Sequence, residues 1–339
     1  MISTTFGDMA QHLMLRRQGT GLKRAVTELS QDLTSGMVSD QARRVSGEFS
    51  VLADITNRLA LAETHRDLGR TAGTRLAVQQ TVIDGLHAHA QAGLAELALA
   101  EQSPMATQVA RGLSQMETRF RDAVTLLNTV FGGVGLFSGA SANGAALAGA
   151  SDILDQLMAD LGANLAPDPT ALQTSQFIEG WFAPGGAFDT VGYLGDAAVS
   201  SRLTLGNGLD VGFEITAAEP EIRTTLAALA KGVALARGVL DASAAQQGAL
   251  KQEIIENLGT ASVGLIDVAA RIGQQEWRAA EAVTRAEAEL YAMKIARSEI
   301  LSADPYETAT QLEQARTQLD LVYAMTARLS RLSLLEYLR

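Results

Sequence analysis

Few residues in this chain are placed to do chemistry. His87-x-His89 is its only histidine cluster, and a metal ion is what such a pair could hold. On a helix, residues two apart point to different faces, so one ion cannot readily take both. Surface histidines are expected instead. Gly133-Val-Gly135-Leu-Phe-Ser138 looks like a shortened dinucleotide fingerprint, whose glycines let the backbone approach a pyrophosphate. The third glycine is missing, and no strand and helix with a downstream acid frame the segment. A structural turn is expected there. It also lacks the Gly-Lys-Ser/Thr end of a phosphate loop, and no Gly-x-Ser-x-Gly nucleophile elbow occurs. With no cysteine, thiolate zinc sites, iron–sulfur clusters, cysteine nucleophiles and disulfides are excluded together. Trp181 and Phe182 could form a binding patch, but a small insertion needs aromatics for its own core, and core is the expected role. No catalytic residue, cofactor or metal is therefore expected.

The bulk properties narrow the remaining classes. The chain has 339 residues, enough for two or three domains. Lys plus Arg total 27 against 38 Asp plus Glu, a net charge of -11, so the basic surface that drives nonspecific nucleic-acid binding is absent. Nucleic acid is not an expected partner. Hydrophobic residues make up 47% but aromatics only 5%, a helix-rich profile. No stretch approaches the roughly 18 uninterrupted apolar residues of a membrane helix, so no membrane insertion is expected. Met1 to Leu15 hold Asp8 and His12 and show no basic leader followed by an apolar run, so any export is expected to use an uncleaved signal.

Proline placement divides the chain. Pro167, Pro169, Pro184 and Pro220 cluster, leaving long proline-free runs on either side. The same window holds Phe177, Trp181, Phe182, Phe188, Tyr193 and Phe213. Within it, Leu203-Thr-Leu205 and Leu209-Asp-Val211-Gly-Phe213-Glu-Ile215 alternate about Gly206-Asn-Gly208, the period-two signature of a hairpin. Phe177 to Tyr193, turn-rich and aromatic, is expected to supply the remaining strands.

The flanks read as helix. Ser103-Pro104 and Asp304-Pro305 each put an N-cap side chain before a proline at the first helical position. Glu307 could reach back to the Asp304 backbone in a box-like arrangement. From there Leu312, Ala315, Leu319, Val322, Thr326 and Leu329 follow steps of three and four, with Met325, Leu332 and Leu335 widening the stripe. Leu15, Leu22, Val26, Leu29 and Leu33 repeat likewise near the start, and Ile2, Phe6, Met9 and Leu13 continue that face. Both ends need a partner along their length.

The ends together are electrically neutral, so the whole charge deficit lies between them. A bare helix pair cannot cover both of its sides. Burying a Leu or Val gains about 1.5–3 kcal/mol, while ordering a backbone position costs about 1–2 kcal/mol. Both termini are therefore expected to be poorly ordered in an isolated monomer and to fold on assembly. Fast amide exchange over residues 5 to 30 in a dilute monomer is the expected result, and sharp protected signals there would contradict it.

Several segments resemble the bacterial flagellin family, and within it the hook–filament junction branch. Ile2-Ser3-Thr4 and Glu28-Leu-Ser-Gln-Asp-Leu33-Thr-Ser-Gly36 look like that family's N-terminal helix and following turn. Phe131-Gly-Gly-Val-Gly-Leu136-Phe137-Ser138-Gly139 is similar to its glycine-rich Leu-Phe-Ser-Gly turn, and Leu332-Ser-Leu-Leu335-Glu-Tyr337-Leu338-Arg339 looks like a junction-protein ending. Met37-Val-Ser-Asp40-Gln-Ala departs from the pattern, standing where the family has a basic residue and then Asp-Asp-Pro.

The resemblance implies a mainly α fold: a long-helix coiled coil and helical bundle built from both chain ends, with a small β-containing central insertion. Residues 1–34 and 305–339 would form the terminal coiled-coil domain, 35–165 and 218–304 the helical bundle, and 166–217 the outer domain. It implies a non-enzymatic subunit, secreted without a cleaved signal peptide to the extracellular bacterial flagellum. The implied partners are copies of itself in a ring or helical tube, the other junction protein, flagellin, and a type III export chaperone on the C-terminal helix. The expected subunit-interface residues are Phe6, Leu13, Leu22, Leu29, Leu319, Val322, Leu329, Leu332 and Leu335. A divergent filament flagellin is the nearest alternative. An enzyme or ligand-binding protein using the insertion is a further one.

Overall fold

The computed structural model describes residues 3–44, 49–101, 106–141, 144–196, 201–206 and 208–337. Proline-free runs rich in Ala, Leu, Glu, Gln and Arg become helix because these side chains lose little freedom there. In chain order they are α1 (Ser3–Ser35), α2 (Gln41–Arg44), α3 (Ser50–Glu101), α4 (Ala106–Leu127), α5 (Ala150–Asn164), α6 (Ala171–Phe182), α7 (Pro220–Ala236), α8 (Ala244–Leu301) and α9 (Pro305–Tyr337). Two short antiparallel hairpins accompany them, β1 (Val130–Phe131) with β2 (Val134–Gly135) and β3 (Ser201–Thr204) with β4 (Asp210–Phe213). The fold is mainly α, as expected. The Ser103-Pro104 start lies outside the described residues.

The chain divides into two compact units, Met1–Glu63 with Glu287–Arg339, and Thr64–Ala286. These bounds differ from the sequence-based ones because α3 and α8 run without a break through positions 63 and 287.

The second unit is organised around α7. Ile222, Leu226, Leu229, Val233 and Leu235 are all buried, together with the alanines between them. A helix with apolar residues on most of its circumference belongs inside a core, and α7 packs against α4 and α6. Phe120, Trp181, Phe182 and Phe188 meet beside it, with ring centroids 6.5 Å apart for Phe120–Phe182, 4.9 Å for Trp181–Phe182 and 5.1 Å for Phe182–Phe188. The Trp181 indole N–H donates to Asp160 at 2.9 Å, so its one polar atom is satisfied.

Residues 166–217 have no core of their own. Ile178, Phe182, Phe188 and Val211 share one hydrophobic cluster with Leu86, Phe120 and Leu229. The strands expected over Phe177–Tyr193 are also not there. Thr170 caps α6, accepting from the Gln173 N–H, while Gln173 reaches back to the Thr170 N–H, and the segment is helical to Phe182. A π-helical turn, Phe188–Gly192, follows. The expected hairpin is present, with Leu203 opposite Val211.

The glycine-rich segment is a structural turn. Gly132 and Gly133 take φ of 61° and 84°, the left-handed pair that a two-residue turn between β1 and β2 requires. Leu136 and Phe137 then enter the core. Gly139 follows at φ 67°, where an added Cβ would collide with the Asp196 carbonyl.

Behind α6, the buried Arg223 donates to the carbonyls of Ala218 at 2.7 Å and Phe182 at 2.9 Å, and to the Asp189 carboxylate. Burial alone would push the Asp189 carboxyl up. The Gly185 N–H and the Arg223 guanidinium outweigh it and hold the group below the usual carboxylate range. That contribution is present at neutral pH and is lost as pH falls through the lowered value. Asp189→Asn should therefore cost about 1–3 kcal/mol near neutrality by leaving a buried cation under-compensated. Chemical denaturation as a function of pH should show the gap between variant and parent closing once pH is below the carboxylate range.

Candidate assembly surface

The first unit is made by the two chain ends. Asp304 caps α9, its Oδ1 accepting from the N–H groups of Tyr306 at 2.8 Å and Glu307 at 3.1 Å. The Glu307 carboxylate accepts from the Gln311 side chain at 3.1 Å instead of completing a box with the Asp304 backbone. The helices α1 and α9 run antiparallel. A Cβ built on Gly19 would lie 3.6 Å from Val322, and the Lys23 ammonium lies 5.6 Å from the Tyr323 ring centroid. A hydrogen bond and charge interaction with the Tyr323 hydroxyl raise the Lys23 pKa.

The shared face follows the three-and-four spacing. On α9, Thr308, Leu312 and Ala315 are buried, and Leu319, Val322, Thr326 and Leu329 are half-buried; on α1, Leu15, Gly19, Leu22, Val26 and Leu29 are half-buried. Five of the expected interface residues, Leu22, Leu29, Leu319, Val322 and Leu329, thus meet within one chain. Leu13 stands apart from them at 69% exposure. For Phe6, Leu332 and Leu335 only their places on α1 and α9 are described, not their side chains.

Beyond the shared face, both helices present further apolar side chains. Met14 is 69% exposed, Leu321 55% and Tyr323 47%. A groove of about 680 Å³ runs beside Gly19, lined by Leu13, Leu15, Val322, Tyr323 and Thr326. The heptad stripe does not single out Met14, Leu321 and Tyr323, because each lies one residue off it. The signal was in the apolar triplets Leu13-Met14-Leu15 and Leu321-Val322-Tyr323, which widen the arc past what one partner helix can cover.

The turn after α1 is fastened to the end of α8. The Val38 N–H donates to Leu301 O at 2.8 Å, and the Ala303 N–H donates to Gly36 O at 3.0 Å. Asp32, buried, accepts from the Ser39 N–H at 2.7 Å and from the Ser39 hydroxyl. Gly36 takes φ 70° to make this turn. The segment that departs from the family pattern is therefore held by backbone bonds, by Ser39 on Asp32 and by the Ser35 hydroxyl, which accepts from the Met37 N–H at 3.2 Å. Close by, Ile55, Leu59, Ala62 and Leu290 form a small core.

No ion site accompanies these surfaces: among the described residues, no group of three His, Cys, Asp or Glu could hold a metal. His87 and His89 are half-buried on α3, not the surface residues expected, and the His87 Nε2 is buried without a hydrogen-bond partner. Among the described residues, no helix is long and apolar enough to cross a membrane.

Residues 255–338, the larger part of α8 and all of α9, match the family model of the bacterial flagellin C-terminal helical region. Among solved structures, a putative flagellar hook-associated protein from Vibrio parahaemolyticus is similar at a TM-score of 0.54 and 11% identity, over 73% of this chain and 95% of that one. That likeness is one of fold. No curated protein matches this sequence. The C-terminal part of the chain therefore resembles the flagellin C-terminal helical region, and the fold resembles that of a flagellar hook-associated protein.

The Asp32 bonds give a direct test of the turn. Asp32→Ala should cost about 1–2 kcal/mol, and hydrogen exchange should show faster opening of Val38 and Ser39 while the Thr64–Ala286 unit stays protected.

Proposed function

We propose that this protein is the hook–filament junction subunit, a structural adaptor that polymerises between the hook end and the first flagellins and transmits torque across that joint. It carries out no reaction. One observation carries the reading: α1 and α9 cover only part of each other's apolar surface, leaving Leu13, Met14, Leu321 and Tyr323 in solvent. Two different patches of each subunit joined head to tail do not pair off into a closed dimer, and so propagate a ring or tube. In that arrangement Leu22, Leu29, Leu319, Val322 and Leu329 form the pair within a subunit, and Phe6, Leu13, Leu332 and Leu335 extend it toward neighbours. The Ser333-Leu-Leu335-Glu-Tyr337-Leu338 ending and the hook-associated likeness both favour the junction over the filament.

Such a subunit works outside the cell. It reaches the flagellum unfolded through the type III channel, and a chaperone shields the amphipathic α9 beforehand. Its neighbours are copies of itself, the second junction protein and flagellin. The alternative, a divergent filament flagellin, shares the same terminal helices. Deleting the gene separates the two: loss of a junction subunit leaves capped hooks with flagellin spilled into the medium, whereas loss of a minor flagellin leaves shortened filaments.

Leu321→Lys should leave the monomer's unfolding free energy within about 0.5 kcal/mol of the parent, because the residue is exposed. The same change should abolish swimming and release flagellin into the medium at an unchanged level of exported protein. Normal motility in that strain would count against the assembly surface.

A further inference from the structure

The second unit contains a cleft that the assembly reading does not use. It holds about 330 Å³ between α6, α7 and α8, with apolar walls from Phe182, Pro184, Pro220 and Ala227 and polar groups from Glu179 and Asn257. Beneath it lies Lys231, fully buried on α7. Its ammonium donates to Glu179 Oε1 at 2.6 Å and to Glu253 Oε1 at 3.4 Å.

The charges around the cleft do not balance. Lys231 serves two carboxylates, Glu179 and Glu253; Arg223, on the cleft wall, is matched by Asp189 alone. Glu219 and Glu221, on either side of Pro220, share the single Arg271. Five carboxylates therefore stand against three cations. The excess is placed to act on a ligand at Glu179, whose side chain is half exposed. Lys231 and the Asn257 amide both donate to its Oε1, and Oε2 has no bond among the described residues. A carboxylate with a spare oxygen at the rim of an apolar slot is complementary to a cation on an aliphatic stem.

We propose that this cleft is a socket for an arginine side chain presented by a neighbouring protein subunit. The stem lies along Phe182, Pro184 and Pro220, and the guanidinium meets Glu179 Oε2 with the Asn257 side chain beside it. Arginine fits better than lysine because its fork of donors can bridge the carboxylate and the amide together. The proposal does not depend on which flagellar structure the chain builds, since it concerns α6, α7 and α8 and not the terminal helices.

The test is an NMR titration of the full chain with Nα-acetyl-arginine N-methylamide, with the norleucine and glutamate analogues as controls. The Asn257 side-chain amide and the backbone amides of Ala183 and Ala227 report on the cleft. The arginine compound should give saturable shifts at these sites and the controls should not. Glu179→Gln keeps an oxygen for Lys231 and leaves Glu253 as its counter-charge, so the fold is retained while affinity falls about tenfold, the loss of one charge-assisted hydrogen bond. Ala227→Leu fills the slot without altering charge and should abolish the shifts, with the unfolding midpoint checking that each variant is folded. Absence of saturable shifts, equal shifts with norleucine, or unchanged affinity in Glu179→Gln would each overturn the proposal.

Discussion

A pair of helices has only one mutual face, and the rest of the first unit follows from that limit. The gain of about 1.5–3 kcal/mol for a Leu or Val requires full burial, whereas the cost of about 1–2 kcal/mol for ordering each residue is incurred in full. Along α9 the cover thins out with distance from Asp304: Thr308, Leu312 and Ala315 are buried, but Leu319, Val322, Thr326 and Leu329 only half so. The best-covered end is the one beside the turn where Val38 and Gly36 bond to Leu301 and Ala303. On the proposed reading, this turn fixes the root of the hairpin and neighbouring copies cover the remainder.

The Thr64–Ala286 unit meets the opposite condition. Its central helix α7 is buried on nearly every side, and the aromatic group of Phe120, Trp181, Phe182 and Phe188 closes one side of it. Its buried cations all have partners: Arg223 has Asp189 and three carbonyls, and Lys231 has Glu179 and Glu253. A unit built this way needs no neighbour to satisfy its core. The chain thus combines a self-sufficient region with terminal helices that are not self-sufficient, which on the proposed reading suits a subunit that is exported first and locked in place later.

The terminal stripes were legible because a three-and-four spacing over some twenty residues admits no other period. The β3–β4 hairpin was legible for a similar reason, alternation about Gly206-Asn-Gly208. Helix α6 was hidden by its aromatics and by the prolines and glycines around it, although Thr170-x-x-Gln173 before an apolar run is a capping box that marks its start. The unit bounds were not legible at all, since α3 and α8 carry no proline, glycine cluster or charge step where one unit gives way to the other. At the candidate surface, the sequence pointed to the residues that meet within the chain. It did not single out Met14, Leu321 and Tyr323, because a heptad describes one seam and these helices have apolar surface outside it. Nor could it reveal the Asp32–Ser39 bonds, which depend on the turn at Gly36.

The most direct test is removal of residues 1–30 and 310–339 together. The account predicts a monomer that keeps the cooperative unfolding and amide protection of Thr64–Ala286 but neither polymerises nor restores swimming. A truncated chain that still assembled into a working joint, or one whose Thr64–Ala286 core melted on losing its ends, would contradict it.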